Sequence, residues 1–252
     1  MLSVKMMFPK ALAVKSLAHS LAQIIDEAPI FVSEKGISVR SLSEDKTVML
    51  VLSVPPDSFE SLEVERPLGF KVSTRELLRV VRRALRGDSL ELSLDISEKR
   101  LKLTFVNKKS SVSRSFELPV SLEAGEMLGE PRVDVQVKFG IKAKDLKVLL
   151  QEAKLVAEEI TLEYSNNSVV LRAEEADVLY EAELRLGEPL TDLSSTVDEA
   201  RASYAVKLIA STLRAASPQT VMTFGFGTAQ PARISFELVG GGEARYWIAP
   251  RV

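Results

Sequence analysis

The order of helix and strand signals along the chain runs through once and then repeats. A repeat on that scale constrains the fold more than any single motif does. Helical periodicity covers Ala11 to Asp26, with Val14, Leu17, Leu21, Ile24 and Ile25 on one side. Strand-like runs follow at Ile30–Ser33, Ile37–Leu42 and Thr47–Val54, the first two separated by Glu34-Lys35-Gly36. A second helix spans about Ser73 to Arg86 and stops at Gly87, a residue suited to ending a helix. Strands return at Leu90–Ile96, Leu101–Val106 and Val112–Leu118. The second half keeps this order. A helix covers about Ala143–Ala157, and strands follow at Ile160–Tyr164, Val169–Ala173 and Val178–Leu184. A further helix runs from about Tyr204 to Ala216 with Pro218 just past it, and Thr220–Gly225, Ala232–Leu238 and Ala244–Ile248 close the chain. Gly36 and Asn167, each just before a strand, lie 131 positions apart, as do Leu90 and Val221.

Two similar α+β modules are therefore expected, each with two helices packed on antiparallel sheets. Between them lies Pro119-Val-Ser-Leu-Glu-Ala-Gly-Glu-Met-Leu-Gly-Glu-Pro131, acidic and bounded by prolines, which reads as a linker. The expected division is an N-terminal domain at 1–118, a connector at 119–132 and a C-terminal domain at 133–252.

Composition removes several chemistries. The chain is 46% hydrophobic and 27% charged, which suits a globular core. No apolar run reaches the roughly 18 residues a membrane helix needs, and the N-terminus has no signal-peptide pattern, so a cytoplasmic protein is expected. There is no cysteine and one histidine, His19, which argues against zinc fingers, thiol catalysis and a Ser-His-Asp triad. No metal or cofactor is expected. Asn occurs only at 107, 166 and 167, and Glu, Lys and Arg are abundant, a balance seen in thermophiles.

The net charge is −2, yet the helices are basic on one side. At 100° per residue, Arg75, Arg79, Arg82 and Arg86 fall within about 60° of one another. Leu77, Val80, Val81, Ala84 and Leu85 lie opposite. In the third helix Lys144, Lys147, Gln151 and Lys154 share a face. In the last helix Lys207 and Arg214 do so with Ser211, and in the first Lys15 and His19 oppose the apolar stripe. Ordinary solvated faces mix signs and gain i,i+4 pairs, whereas the second helix places like charges at that spacing. Such self-repulsion suits a polyanion, bound through its phosphates without reading sequence.

Three segments then become familiar. Gly36-Ile-Ser-Val-Arg-Ser-Leu-Ser-Glu-Asp-Lys-Thr-Val48 resembles a first-domain region of the DNA sliding clamps, the proliferating cell nuclear antigen family. Leu128-Gly-Glu-Pro131 resembles that family's connector, and Tyr246-Trp-Ile-Ala-Pro-Arg-Val252 is similar to its C-terminus. The element order resembles the family over essentially the whole chain. The resemblance, archaeal in type, implies the DNA clamp fold, with three chains closing a ring around duplex DNA and the helices lining the hole. Lys15, Arg75, Arg79, Arg82, Arg86, Lys144, Lys147, Lys154, Lys207 and Arg214 would face DNA. It also implies a groove that takes an aliphatic and an aromatic plug from a partner peptide. Carried over, its residues are Leu42, Lys46, Thr47, Leu128, Pro231, Trp247, Ala249 and Pro250. Lys46 stands where histidine is common, and Trp247 replaces a tyrosine. The implied partners are DNA polymerase, a flap nuclease, DNA ligase and a separate clamp loader.

Two candidate edge strands differ in charge. Val112–Leu118 follows Lys108 and Lys109 and contains Arg114 and Phe116. Val178–Leu184 follows Glu174, Glu175 and Asp177 and contains Tyr180 and Glu181. Opposite charge on two open edges favours head-to-tail association. Whether those edges join identical copies or paralogous subunits stays open, and a monomeric, non-specific DNA-binding module is a further alternative. An enzyme fits poorly. No carboxylate pair has an acid/base context, and neither Gly225-Phe-Gly227 nor Gly240-Gly-Gly242 opens a helix with a lysine.

Overall fold

The structure, a computed structural model, describes Leu2–Asn107 and Lys109–Arg251. It separates into two compact units. The first comprises Met1–Glu44, Leu50–Glu130 and Glu237–Ala244. The second comprises Asp45–Met49, Pro131–Phe236 and Arg245–Val252.

In the first unit the strands are β1 (Leu2–Phe8), β2 (Glu27–Ser33), β3 (Gly36–Leu42), β4 (Val48–Val54), β5 (Ser61–Val64), β6 (Leu68–Ser73), β7 (Asp88–Asp95), β8 (Arg100–Asn107) and β9 (Ser113–Ser121). Helix α1 (Ala11–Ala22) follows β1, and α2 (Thr74–Val81) follows β6. Pairing runs β5-β1-β7-β8-β9-β6-β2-β3, all antiparallel. Strand β9 serves two neighbours. It pairs with β8 from Ser113 to Pro119 and passes to β6 at Val120 and Ser121.

The second unit holds β10 (Val137–Lys142), α3 (Ala143–Ala153), β11 (Glu159–Ser165), β12 (Ser168–Glu175), β13 (Val178–Leu186), β14 (Pro189–Ser195), β15 (Ala200–Ala205), α4 (Val206–Thr212), β16 (Val221–Phe226) and β17 (Ala232–Glu237). The last strand, β18 (Glu243–Ile248), begins in the first unit and ends in the second. Its pairing runs β17-β16-β10-β14-β13-β12-β11-β15. Strand β10 is flanked by β14 and β16 as β1 is by β5 and β7, and β11 by β12 and β15 as β2 is by β3 and β6. Ala11 and Ala143 begin helices 132 positions apart, and Thr74 and Val206 do the same. The duplication holds, with an offset one larger than the turn landmarks gave.

Six strands went unmarked by the sequence: β1, β5, β6, β10, β14 and β15. Three of them run directly into helices, and β1 reaches α1 through Pro9 and Lys10. Leu68–Ser73 and Val137–Lys142 each contain a glycine, and their alternation merges into the helical pattern that follows. A strand feeding straight into a helix lays that helix's apolar side on the sheet. Leu77, Val80 and Val81 of α2 are buried with Phe8, Phe70 and Leu92, and Leu146 and Leu150 of α3 with Phe139 and Phe224. The rings of Phe139 and Phe224 stack at 5.1 Å. Each such aliphatic side chain stabilises the fold by about 1.5–3 kcal/mol. Buried Tyr204 donates its hydroxyl proton to the Gln230 carbonyl at 2.8 Å, and burial raises the phenol's pKa. Among the described residues no helix is long and apolar enough to cross a membrane.

Gly36 opens β3 at φ +99°, and a Cβ there would strike the Val54 carbonyl oxygen. Gly187 has φ +109° but open space around it. Gly36→Ala adds a clash to backbone strain, so it is expected to cost about 3 kcal/mol, against about 1 for Gly187→Ala. Thermal unfolding followed by circular dichroism should rank the two melting temperatures accordingly.

Candidate functional site

In the first unit α1 and α2 lie side by side. Ser73 caps α2 by accepting from the Glu76 amide at 3.4 Å, and Glu76 reaches forward to pair with Arg79. Arg75, Arg79, Arg82 and Arg86 are all exposed, and Lys15 and His19 are half-exposed. The helix is shorter than expected. Its last residue is Val81, and Arg82 is its C-cap. Arg83 and Ala84 then bond back three residues, to Val80 and Val81. The Leu85 amide, which a continuing helix would send to Val81, goes instead to the Asp88 carboxylate at 2.9 Å. Arg86 therefore lies beyond the helix, and Leu85, expected among the buried residues, is 56% exposed. The same turn exposes Arg83, which the sequence reading left out. An open depression of about 580 Å³ beside α1 and α2 is lined by Arg75, Arg79, Arg82 and Arg83, with Asp26 the one acid there.

Asp88 organises this turn. Burial pushes its pKa up. The Leu85 amide, the Asn107 side-chain amide and the Arg114 guanidinium pull it down further, so the carboxyl sits below its ordinary value. Arg114 pairs with Asp88, donates to the Arg83 carbonyl at 3.2 Å and lies 5.4 Å from the Phe105 ring centre.

In the second unit Lys144, Lys147, Gln151 and Lys154 are exposed, the last as the C-cap of α3. Lys207 is exposed on α4, and Arg214 lies past the end of α4 on a 3₁₀ turn, Leu213–Ala215. The basic surface of α3 is interrupted by exposed Val148 and by Leu155 at 87% exposure, neither anticipated. Both flank the side of α3 where Tyr180 of β13 donates to Glu152 at 2.7 Å.

Each unit also has an open strand edge. Among the described residues no strand pairs with the outer edge of β9 from Ser113 to Pro119. The outer edge of β13 meets β14 only at Arg185 and Leu186. The charge contrast expected between these edges is weaker in the structure. Arg114 is turned inward onto Asp88, and Lys108 lies outside the described residues, leaving exposed Lys109. On β13, Glu181 pairs with Arg172 at 2.7 Å and Glu183 with Arg185 at 2.9 Å, while Glu174, Glu175 and Asp177 are exposed. The edges are also apolar: Val112 and Phe116 are exposed on or beside one, Val178 and Leu179 on the other.

The expected groove residues fall into two sets. In the first unit, Leu42 and Leu128 are exposed. In the second, the Ala249 amide donates to the Thr47 carbonyl at 2.9 Å, exposed Lys46 adopts φ +57°, and Pro231 and Pro250 are half-buried. Trp247 is only 5% exposed, with the Arg233 guanidinium 5.8 Å from its ring centre, so its indole offers little free surface.

The family profile described as proliferating cell nuclear antigen, N-terminal domain, matches residues 1–127. The chain belongs to the proliferating cell nuclear antigen family. DNA polymerase sliding clamp 2 of Sulfurisphaera ohwakuensis is 28% identical over 249 residues, covering 99% of this chain and 100% of that one. The crystal structure of PCNA from Thermococcus kodakaraensis superposes with a TM-score of 0.92 at 25% identity, covering 99% of this chain and 100% of that one. A structure of the C-terminal region of FEN-1 bound to A. fulgidus PCNA shares the fold, with a TM-score of 0.85 at 22% identity over 99% of this chain and 98% of that one.

Because the folded Asp88 carboxyl is the stronger acid, its contribution is complete above the ordinary carboxylate pKa of about 4 and is lost as pH falls through the folded value. Asp88→Asn is expected to lower stability at neutral pH by about 1–3 kcal/mol and to flatten the acid limb. Denaturant midpoints measured from pH 7 down to pH 2 give both.

Proposed function

We propose that this chain is a protomer of a DNA polymerase sliding clamp, closing with two further copies or with paralogous subunits into a ring around duplex DNA. The observation that carries this reading is the pairing, in each unit, of helices with exposed basic residues and one unpaired strand edge. The unpaired edge of β9 on one protomer joins that of β13 on the next, with Val112 and Phe116 against Val178 and Leu179. Val148 and Leu155 widen the apolar strip beside β13. Arg75, Arg79, Arg82, Arg83, Arg86, Lys15, Lys144, Lys147, Lys154, Lys207 and Arg214 meet phosphates diffusely. Contacts of that kind hold the ring on DNA without fixing a register, so processivity comes from closure.

On this reading the chain catalyses nothing itself. It tethers enzymes such as polymerase, flap nuclease and ligase through short peptides seated at Leu42, Lys46, Thr47, Leu128, Pro231, Trp247, Ala249 and Pro250. Leu42 and Leu128 supply the exposed apolar surface. A separate ATP-driven loader opens the ring.

The experiment that tests the reading is native mass over a dilution series, followed by loading onto circular and linear DNA. A trimer retained on circles and lost from free ends supports it. A trimer held equally on both contradicts topological closure. Arg79→Glu with Arg82→Glu is expected to reduce loading on circles at least tenfold with trimer mass unchanged, and to lower the salt slope of binding by roughly one unit per lost phosphate contact. Because Arg114 is committed inside its own unit, the ring is held chiefly by apolar contact. Trimer mass is therefore expected to survive about 1 M salt, where charges are screened beyond roughly 3 Å, and to collapse in Phe116→Asp.

A further inference from the structure

On β3, Ser38, Arg40 and Leu42 share the face opposite buried Val39. That face is crossed by the connector. Ala124 sits against Gly69 and Phe31, close enough that any side chain at Gly69 would collide with both. The Ser38 hydroxyl lies 3.8 Å from the Met127 sulfur, and Arg40 Nη1 donates to the Leu128 carbonyl at 3.3 Å. Arg40 Nε is buried with no hydrogen-bond partner among the described residues. Leu42, Met127 and Leu128 are each 40% exposed.

This arrangement is physically uneven. A guanidinium partly removed from water with one donor unmet is a poor way to fill space, because an aliphatic side chain would cover β3 without that penalty. What the arginine adds is a charge-assisted bond to a backbone carbonyl. That bond ties the connector to the strand at the residue whose side chain offers apolar surface to a partner. Beside that bond the segment is open: among the described residues nothing lies near a side chain built at Gly125 or Gly129, and Glu126 and Gly129 are exposed.

We propose that Arg40 is a positioning residue for partner-peptide binding. By holding the Leu128 carbonyl over β3, it sets the separation between the Leu42 and Leu128 side chains before a peptide arrives, so less ordering remains for the peptide to impose. The proposal rests on the groove reading given above.

The test uses the full-length protein and a synthetic peptide of the A. fulgidus FEN-1 C-terminal region, with affinity read by calorimetry. Native mass, melting temperature and hydrogen exchange at the amides of 126–130 are measured alongside. Arg40→Ala is expected to weaken the peptide about tenfold and to speed connector exchange, with trimer mass unchanged and melting within about 2 °C of the parent. Arg40→Lys, which keeps the charge and one donor nitrogen but loses the planar fork, should recover part of the loss. Affinity within twofold of the parent overturns the proposal, and so does a loss of affinity accompanied by collapse of the trimer or the melting temperature. Leu128→Ala separates the two readings. If Leu128→Ala binds weakly and Arg40→Ala binds normally, only the positioning role fails. If Leu128→Ala also binds normally, or the parent ignores the peptide, the groove itself fails and the positioning role with it.

Discussion

Two strands, one in each unit, leave a row of backbone N–H and C=O groups without a partner among the described residues. Unpaired edges of that length are liabilities in a monomer and are usually blunted by charge, proline or a bulge. Here Glu117 and Pro119 lie on one strand and Glu181 and Glu183 on the other, yet apolar side chains are exposed beside them. Val112 and Phe116 stand out at one, Val178 and Leu179 at the other. The remainder of the molecule accommodates this condition. Strand β9 is held by β8 from Ser113 to Pro119 and by β6 at Val120 and Ser121, and β13 by β12 over eight residue pairs. The two edges belong to different strands, so joining them between copies is a heterologous contact, which closes a ring when the rotation permits.

The same economy governs the helices. Three of the four enter directly from a strand, and α1 after only Pro9 and Lys10, so the apolar side is committed to the sheet from the first turn and the outward side is left to charge. The basic surface this leaves is irregular. Arg82 caps α2, Arg83 and Arg86 sit on the turn beyond, and Arg214 sits on a 3₁₀ turn rather than on α4. On α3 the lysines share the surface with Val148 and Leu155.

Much of this was legible in the sequence because it is periodic. The burial of Leu146 and Leu150, the exposure of Arg75, Arg79 and Arg82, and the doubled element order all follow from spacing. The losses have a common cause in contacts between distant residues. The end of α2 is set by the Asp88 carboxylate capturing an amide, while the apolar rhythm through Leu85 suggested that the helix continues. The inward pairing of Arg114 leaves no local pattern because its partner, Asp88, is 26 positions away. The connector's tie to β3 spans 88 positions between Arg40 and Leu128 and leaves no local pattern. Strands such as Val137–Lys142 were missed for the opposite reason, since their alternation fades into the helix they begin.

Arg114 sits on the edge strand, yet its guanidinium holds the Arg83 carbonyl and the carboxylate that terminates α2. One side chain on the open edge of β9 thus fastens the basic turn of its own unit. A force that peels β9 from its neighbour acts on the same lever that keeps Arg82, Arg83 and Arg86 in place. In the proposed ring, unfastening that edge and slackening the turn's hold on phosphates would be, in mechanical terms, a single movement.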